Sequence, residues 1–291
     1  KLLSKFNMSG EFALDKNYNL AIQQIINAYL HPLLSMSLSY RYFSPRYISL
    51  HSNSFSESSN TRNEKGVYLG VETFPFRFLI LNAYIDCYSF PWMRYNDTSP
   101  YSGTDMLINA KWLWNKNFYI KTLIKKELFH EKTLSEENNI AEMDAANNTR
   151  FVMQTNYIFS DKLNLRNKIE IKNYKTLDQT RSGYLIYQEI NKKFPDKMLS
   201  INFRYTMFDI PDWSVRIYSW EHDLLYSFYT PVFYRTGQNI LLNLRFNHKK
   251  FKFGVKGSFN IYKNEYSSGS GIEKRSGTIF STFKIQWIYT I

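Results

Sequence analysis

The chain has 291 residues, a formal charge of +12 and one cysteine. It is 18% aromatic at a mean hydropathy of −0.43. That richness in large apolar side chains excludes a disordered chain, and the lone Cys87 excludes a disulfide framework and a cysteine-ligated zinc site. No apolar run approaches the roughly 18 residues of a membrane helix. A β-barrel stays open, because in it only alternate residues meet lipid.

The sequence opens at Lys1 without Met and without an apolar signal core, so residues are expected upstream, whether a signal or further chain. Period-two alternation then predicts strands over 2–14, 18–30 and 33–44, where Leu34, Met36, Leu38, Tyr40 and Tyr42 alternate with Ser35, Ser37, Ser39 and Arg41. The same pattern predicts strands over 64–74, 77–90, 103–114, 117–131, 146–159, 162–174, 182–194 and 197–208. In the last of these, Ile201, Phe203, Tyr205 and Met207 alternate with Asn202, Arg204 and Thr206. Strands over 238–247, 250–263 and 277–291 close the series. Such lengths exceed the usual strand of about 5–6 residues and suit a tilted membrane strand. Aromatic residues cluster at strand ends, as in Phe74-Pro75-Phe76, Phe90-Pro91-Trp92, Trp112–Trp114 and Trp287–Tyr289, where interfacial girdles belong.

Short links are expected at His31-Pro32, Phe74-Pro75-Phe76, Asn115-Lys116, Ser160-Asp161, Phe194-Pro195-Asp196 and His248-Lys249-Lys250. Longer polar links are expected at 44–63, 92–102, 132–144, 175–181 and 263–276. This alternation of short and long connections is that of outer-membrane barrels. The expected fold class is therefore all-β: an antiparallel transmembrane β-barrel of about fourteen strands, in a Gram-negative outer membrane, with both termini periplasmic. One domain over 1–291 is expected. Residues 209–237, with Pro211, Pro231 and the charged run Glu221-His222-Asp223, form either a long external loop or a segment in the lumen. Sixteen strands is the alternative, if they add a pair.

Several stretches carry a resemblance: Gly10-Glu11-Phe12-Ala13, Leu38–Tyr47, Asn63–Gly70, Phe90–Tyr95 with Pro100–Gly103, and Arg216–Tyr226. From about residue 10 onward the chain resembles the C-terminal barrel region of a Bacteroidota family of outer-membrane proteins whose members carry a competence-protein-like helix-hairpin-helix segment. The resemblance implies an envelope location and, through that segment, contact with DNA. No such segment lies between Lys1 and Ile291, so nucleic acid enters as a partner through the resemblance alone.

The polar strand positions predict a basic lumen face of Arg41, Lys111, Lys121, Lys125, Arg166, Lys168, Lys172, Arg204, Arg216, Arg245, Lys252, Lys256 and Lys284, opposed by Glu72, Asp86, Glu127, Glu170 and Glu189. Such a face would attract anions, or its charges would pair across a plugged interior. Arg216, Glu221, His222 and Asp223 are the expected internal polar network, with no metal, because adjacent residues in a strand point to opposite faces. The histidines His31, His51, His130, His222 and His248 sit in no nucleophile-elbow or H-E-x-x-H pattern, so no catalytic residue and no cofactor is expected. The expected function is a non-enzymatic barrel, a channel or tether tied to DNA handling by family resemblance. The alternatives are an accessory subunit of an outer-membrane complex and, more weakly, a barrel enzyme. Outer-membrane lipid, lipopolysaccharide and other outer-membrane proteins are the expected partners.

Overall fold

The computed structural model describes residues 5–49, 51, 53–95, 97–134, 141–268 and 271–290. The expectations on Lys1–Ser4, on Ser52, on the middle of the 132–144 link and on Ile291 fall outside these residues. The described strands are β1 (Phe6–Leu14), β2 (Leu20–His31), β3 (Leu34–Phe43), β4 (Glu64–Phe76), β5 (Leu79–Phe90), β6 (Tyr101–Leu113), β7 (Phe118–Leu134) and β8 (Ala141–Ser160). They continue with β9 (Leu163–Lys175), β10 (Thr180–Phe194), β11 (Leu199–Ile210), β12 (Ile217–Tyr218), β13 (Val232–Phe233), β14 (Arg235–His248), β15 (Phe251–Ser268) and β16 (Arg275–Tyr289). Fourteen of them form one sheet in chain order, from which β12 and β13 stand apart as a separate two-stranded ladder. Among the described residues the 209–237 stretch therefore adds no pair of strands to the main sheet: Ile217 and Tyr218 pair with Phe233 and Val232 in a ladder of their own.

The strands bury the wrong face for a water-soluble protein. On β3, Arg41 is 0% exposed while its neighbour Tyr40 is 46% exposed; on β11, Arg204 is 0% exposed and Phe203 40%. Glu64, Glu189 and Asn243 are buried in the same sense, and Val67, Ile186, Leu242, Phe253 and Ile285 are exposed. In water this arrangement would leave the apolar side of the ribbon unburied and desolvate the charges. It is the expected arrangement when lipid covers the apolar side. Exposed rings also gather at the short-turn ends of the strands. Phe76, Phe78 and Trp112 stack in series with centroids 5.3 and 5.5 Å apart, and Phe251 lies 4.9 Å from Tyr289 and 6.5 Å from Trp287. This is the aromatic belt of a membrane–water interface. The fold class is that of an antiparallel transmembrane β-barrel.

The connections refine the predicted boundaries. Phe74-Pro75-Phe76 is not a turn. It is the bulged end of β4, where the β4–β5 register shifts between Thr73 and Phe76 because proline has no N–H for the ladder, and the turn is Arg77-Phe78. Asn115 closes the β6–β7 turn by accepting hydrogen bonds at Oδ1 from the Asn117 and Phe118 N–H groups at 2.8 and 2.7 Å. At the β1–β2 turn, Asn19 and the Asn17 and Ile48 N–H groups donate to Asp15 and hold its carboxyl below the ordinary range. β7, β8 and β15 run well into stretches that read as loops in the sequence.

The chain groups into two compact units. One holds residues 1–112, 123–150 and 174–180, the other 113–122, 151–173 and 181–291. Each carries its own buried polar cluster.

Candidate functional site

In the first unit, cross-strand register places Asp86 of β5 directly opposite Asp105 of β6, a repulsive pair. Two cations from other strands relieve it. Arg41 binds Asp86 through both terminal nitrogens at 2.8 and 3.0 Å, and donates to Glu64 from Nε at 2.6 Å. Lys125 of β7 lies 3.0 Å from Asp105 and 2.6 Å from Glu127. The guanidinium of Arg41 lies over Gly66, its cross-strand partner, where a Cβ would fall 2.5 Å from Cζ. A side chain there would push the guanidinium out of its buried ion pairs, so the close approach favours glycine. The 44–63 connection folds back over this cluster: the Glu57 and Ser58 N–H groups donate to the Glu64 carboxylate at 3.0 and 3.1 Å, and Phe55 stacks on Arg41 at 4.9 Å. A chain with net charge +12 thus holds a carboxylate-rich centre in this unit.

Glu57, outside the strands, has its carboxyl raised above the ordinary range by burial first and then by Asp105, Asp86 and Glu64, against a downward pull from Arg41. A carboxyl raised on folding contributes stability that is present below its ordinary pKa of about 4.3 and is lost as pH rises through the folded value. Glu57→Gln is therefore expected to match the wild type in acid and to resist heat better at neutral pH and above. Heat-modified gel mobility against pH measures this, and a difference that stays constant from pH 4 to pH 8 would contradict it.

In the second unit, Glu189 of β10 stands opposite Arg204 of β11. Arg204 donates to Glu189 Oε2 from Nε at 2.8 Å and from Nη2, and its guanidinium lies 4.2 Å above the Tyr187 ring. Asn191 donates to Glu189 Oε1 at 2.9 Å, with Arg166 at 3.4 Å and His222 at 3.5 Å from the same oxygen. Further along the polar face, Lys256 of β15 is directly opposite Lys284 of β16. Both ammonium groups converge on Asp223 Oδ2, at 3.0 and 2.8 Å, and Lys256 also lies 3.5 Å from Glu221.

Asp223 comes from the 211–234 connection, which runs irregularly over this face. Near its start, Val215 packs beside Gly183 and Ile210, at the long-connection end of β10 and β11. At its tip, Leu224 sits over Gly254, where a Cβ would fall 2.8 Å from Cδ2. Gly254 pairs with Arg245, and Arg245 with Ser200. The excursion from the level of Ile210 to that of Ser200 is about 33 Å along a strand. The segment therefore runs along most of the length of β11 (Leu199–Ile210). The segment then returns: the Ser219 N–H donates to the Pro231 carbonyl at 3.2 Å, and Phe233 packs on Phe208 at 5.1 Å. Irregular backbone at this depth needs partners for its carbonyls, and the polar face supplies them. Arg204 donates to Trp220 O at 2.7 Å, Gln286 to Leu225 O at 2.7 Å, Lys172 to Arg216 O at 3.5 Å, and Arg245 to Asp223 O.

The predicted basic residues thus take several different roles. Arg41, Lys125, Arg166, Arg204, Lys256 and Lys284 are in ion pairs. Lys168 pairs with Glu170 at 2.6 Å. Lys121 faces the Tyr119 ring at 5.6 Å. Arg245 caps a carbonyl, Lys252 lines a small cleft beside Leu224, and Lys111 is engaged. Of the predicted network, Glu221, His222 and Asp223 lie together in an irregular segment, so neighbouring side chains reach different partners. Arg216 is elsewhere, donating to Tyr218 Oη at 3.2 Å and to Trp213 O at 2.9 Å. Glu64, Asp105 and the tip Leu224 escape a reading by sequence. Asp105 and Glu64 were within reach of strand parity, which puts Asp105 on the face of Tyr101 and Gly103 and Glu64 on that of Gly66 and Glu72; Leu224 depends on how its connection folds back.

No protein-family model and no curated protein matches the chain. Among solved structures it is similar to OmpT, an outer membrane protein of Vibrio cholerae, at 8% identity and TM-score 0.41 over 98% of this chain and 94% of that one. It is similar to a Pseudomonas aeruginosa FadL homologue at 10% identity and TM-score 0.38 over 92% and 76%. It is also similar to the P. putida toluene transporter TodX at 9% identity and TM-score 0.35 over 98% and 87%. No residue role is carried over from any of them.

Proposed function

We propose that this chain is a non-enzymatic integral outer-membrane protein that plugs itself with its 211–234 connection and serves as an anchored scaffold, a tether or fixed subunit of an envelope assembly. The observation that carries this reading is the length of the excursion along the polar face. The segment runs from the register of Ile210 to that of Ser200 and is fixed by ion pairs at Asp223 and by side-chain donors to four of its carbonyls. A segment so tied blocks a path along the polar face of its unit. A role in DNA handling rests on the family resemblance described above. A second reading is a gated anion path, favoured by the cations Arg204, Arg245, Lys256 and Lys284 that the segment covers.

Planar-bilayer recording tests the proposal. The wild-type protein is expected to give no steady conductance, and replacement of residues 215–230 by a short Gly-Ser link is expected to give anion-preferring steps. Steady conductance from the intact protein would overturn the scaffold reading.

A further inference from the structure

The apolar face of the first unit carries a depression of about 910 Å³ that gathers residues from β3 to the β9–β10 connection. On the strands just below it, successive same-face positions line a second depression of about 440 Å³: Val67 leads to Leu69, Cys87 to Ile85, Thr104 to Met106 and Leu128 to Lys126. The two are continuous along four strands and differ in chemistry. The lower one is lined by aliphatic side chains such as Ile85, Ile108 and Ile124, with one cation, Lys126. The upper one, toward the long connections, is lined by Lys65, His130 and Lys175 together with Ser89, Ser102 and Thr104. Among the described residues, no acidic residue lines either depression.

A lipid-covered strand face is ordinarily apolar, so a cationic, hydroxyl-bearing patch capping an aliphatic groove calls for an amphiphile with an anionic head. Lys126, two positions below Leu128, can extend its ammonium toward the same level. Size selects among anionic lipids. The wall reaches from β3 to β8, five strand spacings, or about 24 Å. A two-chain phospholipid would cover only part of that width, and a multiply acylated lipid would span it.

We propose that this face binds a phosphorylated, multiply acylated glycolipid of the lipid A kind, with its phosphates on Lys65, Lys126, His130 and Lys175 and its acyl chains over Leu69, Ile85 and Ile108. The inference rests on the outer-membrane reading above, with the long connections on the outer side. The test uses the full chain folded in lipid-free detergent and titrated separately with diphosphoryl lipid A and with phosphatidylglycerol, bound lipid being read by native mass spectrometry. One lipid A is expected to be retained, at least tenfold more tightly than phosphatidylglycerol. Lys65→Ala/Lys126→Ala/Lys175→Ala is expected to weaken it tenfold or more with heat-modifiable mobility unchanged. Should that variant fail to fold, Lys65→Glu/Lys175→Glu, changed only at exposed sites, is expected to show the same loss. Equal retention of phosphatidylglycerol, no retention of lipid A, or variants that bind like the wild type would each overturn the site. Membrane fractionation separates the two levels: a chain found in the outer membrane that ignores lipid A defeats this inference alone, and a chain found elsewhere defeats the outer-membrane reading.

Discussion

Asp223→Asn is expected to loosen the 211–234 connection from the polar face. Lys256 and Lys284 stand opposite each other in register and share this one carboxylate. Removing its charge leaves two facing ammonium groups, with Glu221 3.5 Å from Lys256 and, beside Lys284, the uncharged Ser227 hydroxyl at 3.1 Å and the Tyr229 ring at 5.9 Å. Breaking a buried pair by deleting one partner costs about 3–5 kcal/mol, a large share of what holds one connection in place. The expected readouts are protease cleavage within 211–234 of an otherwise folded protein and the onset of conductance steps. Combining Asp223→Asn with Glu221→Gln, Lys256→Met and Lys284→Met removes all four charges of the cluster and is expected to restore protection, because replacing a whole buried ion cluster by uncharged side chains is commonly neutral. Protection of the single variant equal to that of the wild type would show that the shared carboxylate does not hold the segment.

Arg41→Leu is expected to be the most damaging single change in the other unit. It strands Glu64 and Asp86, both buried, and leaves Asp86 facing Asp105 across the ladder. The expected loss is again about 3–5 kcal/mol, seen as a lowered midpoint in heat-modified gel mobility. The same substitution made together with Glu64→Gln and Asp86→Asn is expected to recover most of that loss. A midpoint for Arg41→Leu within the scatter of the wild type would mean that the cluster is more hydrated than its burial implies.

The alternation of strands such as 34–43 and 199–210 was legible because side chains two apart share a face whatever the fold. From it followed the sheet, its fourteen strands and the sign of each face. The pairing of charges was not legible. Whether Lys256 meets Lys284 or a residue two away is set by the β15–β16 connection and by the register shift between Ile261 and Tyr266, and register is a property of turns and bulges rather than of alternation. Likewise the basic residues of the polar face read either as a track for an anion or as charges paired across a plugged interior, and nothing in the alternation chose between them. What that reading lacked was the irregular backbone of 211–234, whose carbonyls take the donors of Arg204, Arg245 and Lys172. Pro211 and Pro231 marked the segment as non-strand, but no local pattern reports the direction in which a connection folds.

The facing lysines also bear on how the sheet is assembled. Their repulsion arises only when the final hairpin zips up, and the carboxylate that quenches it lies earlier in the chain than either lysine. Assembly that follows chain order threads the anion first and lets the last two strands close around it. A hairpin that zipped before the thread was in place would have to close against its own charge, so the order of the sequence itself favours the productive route.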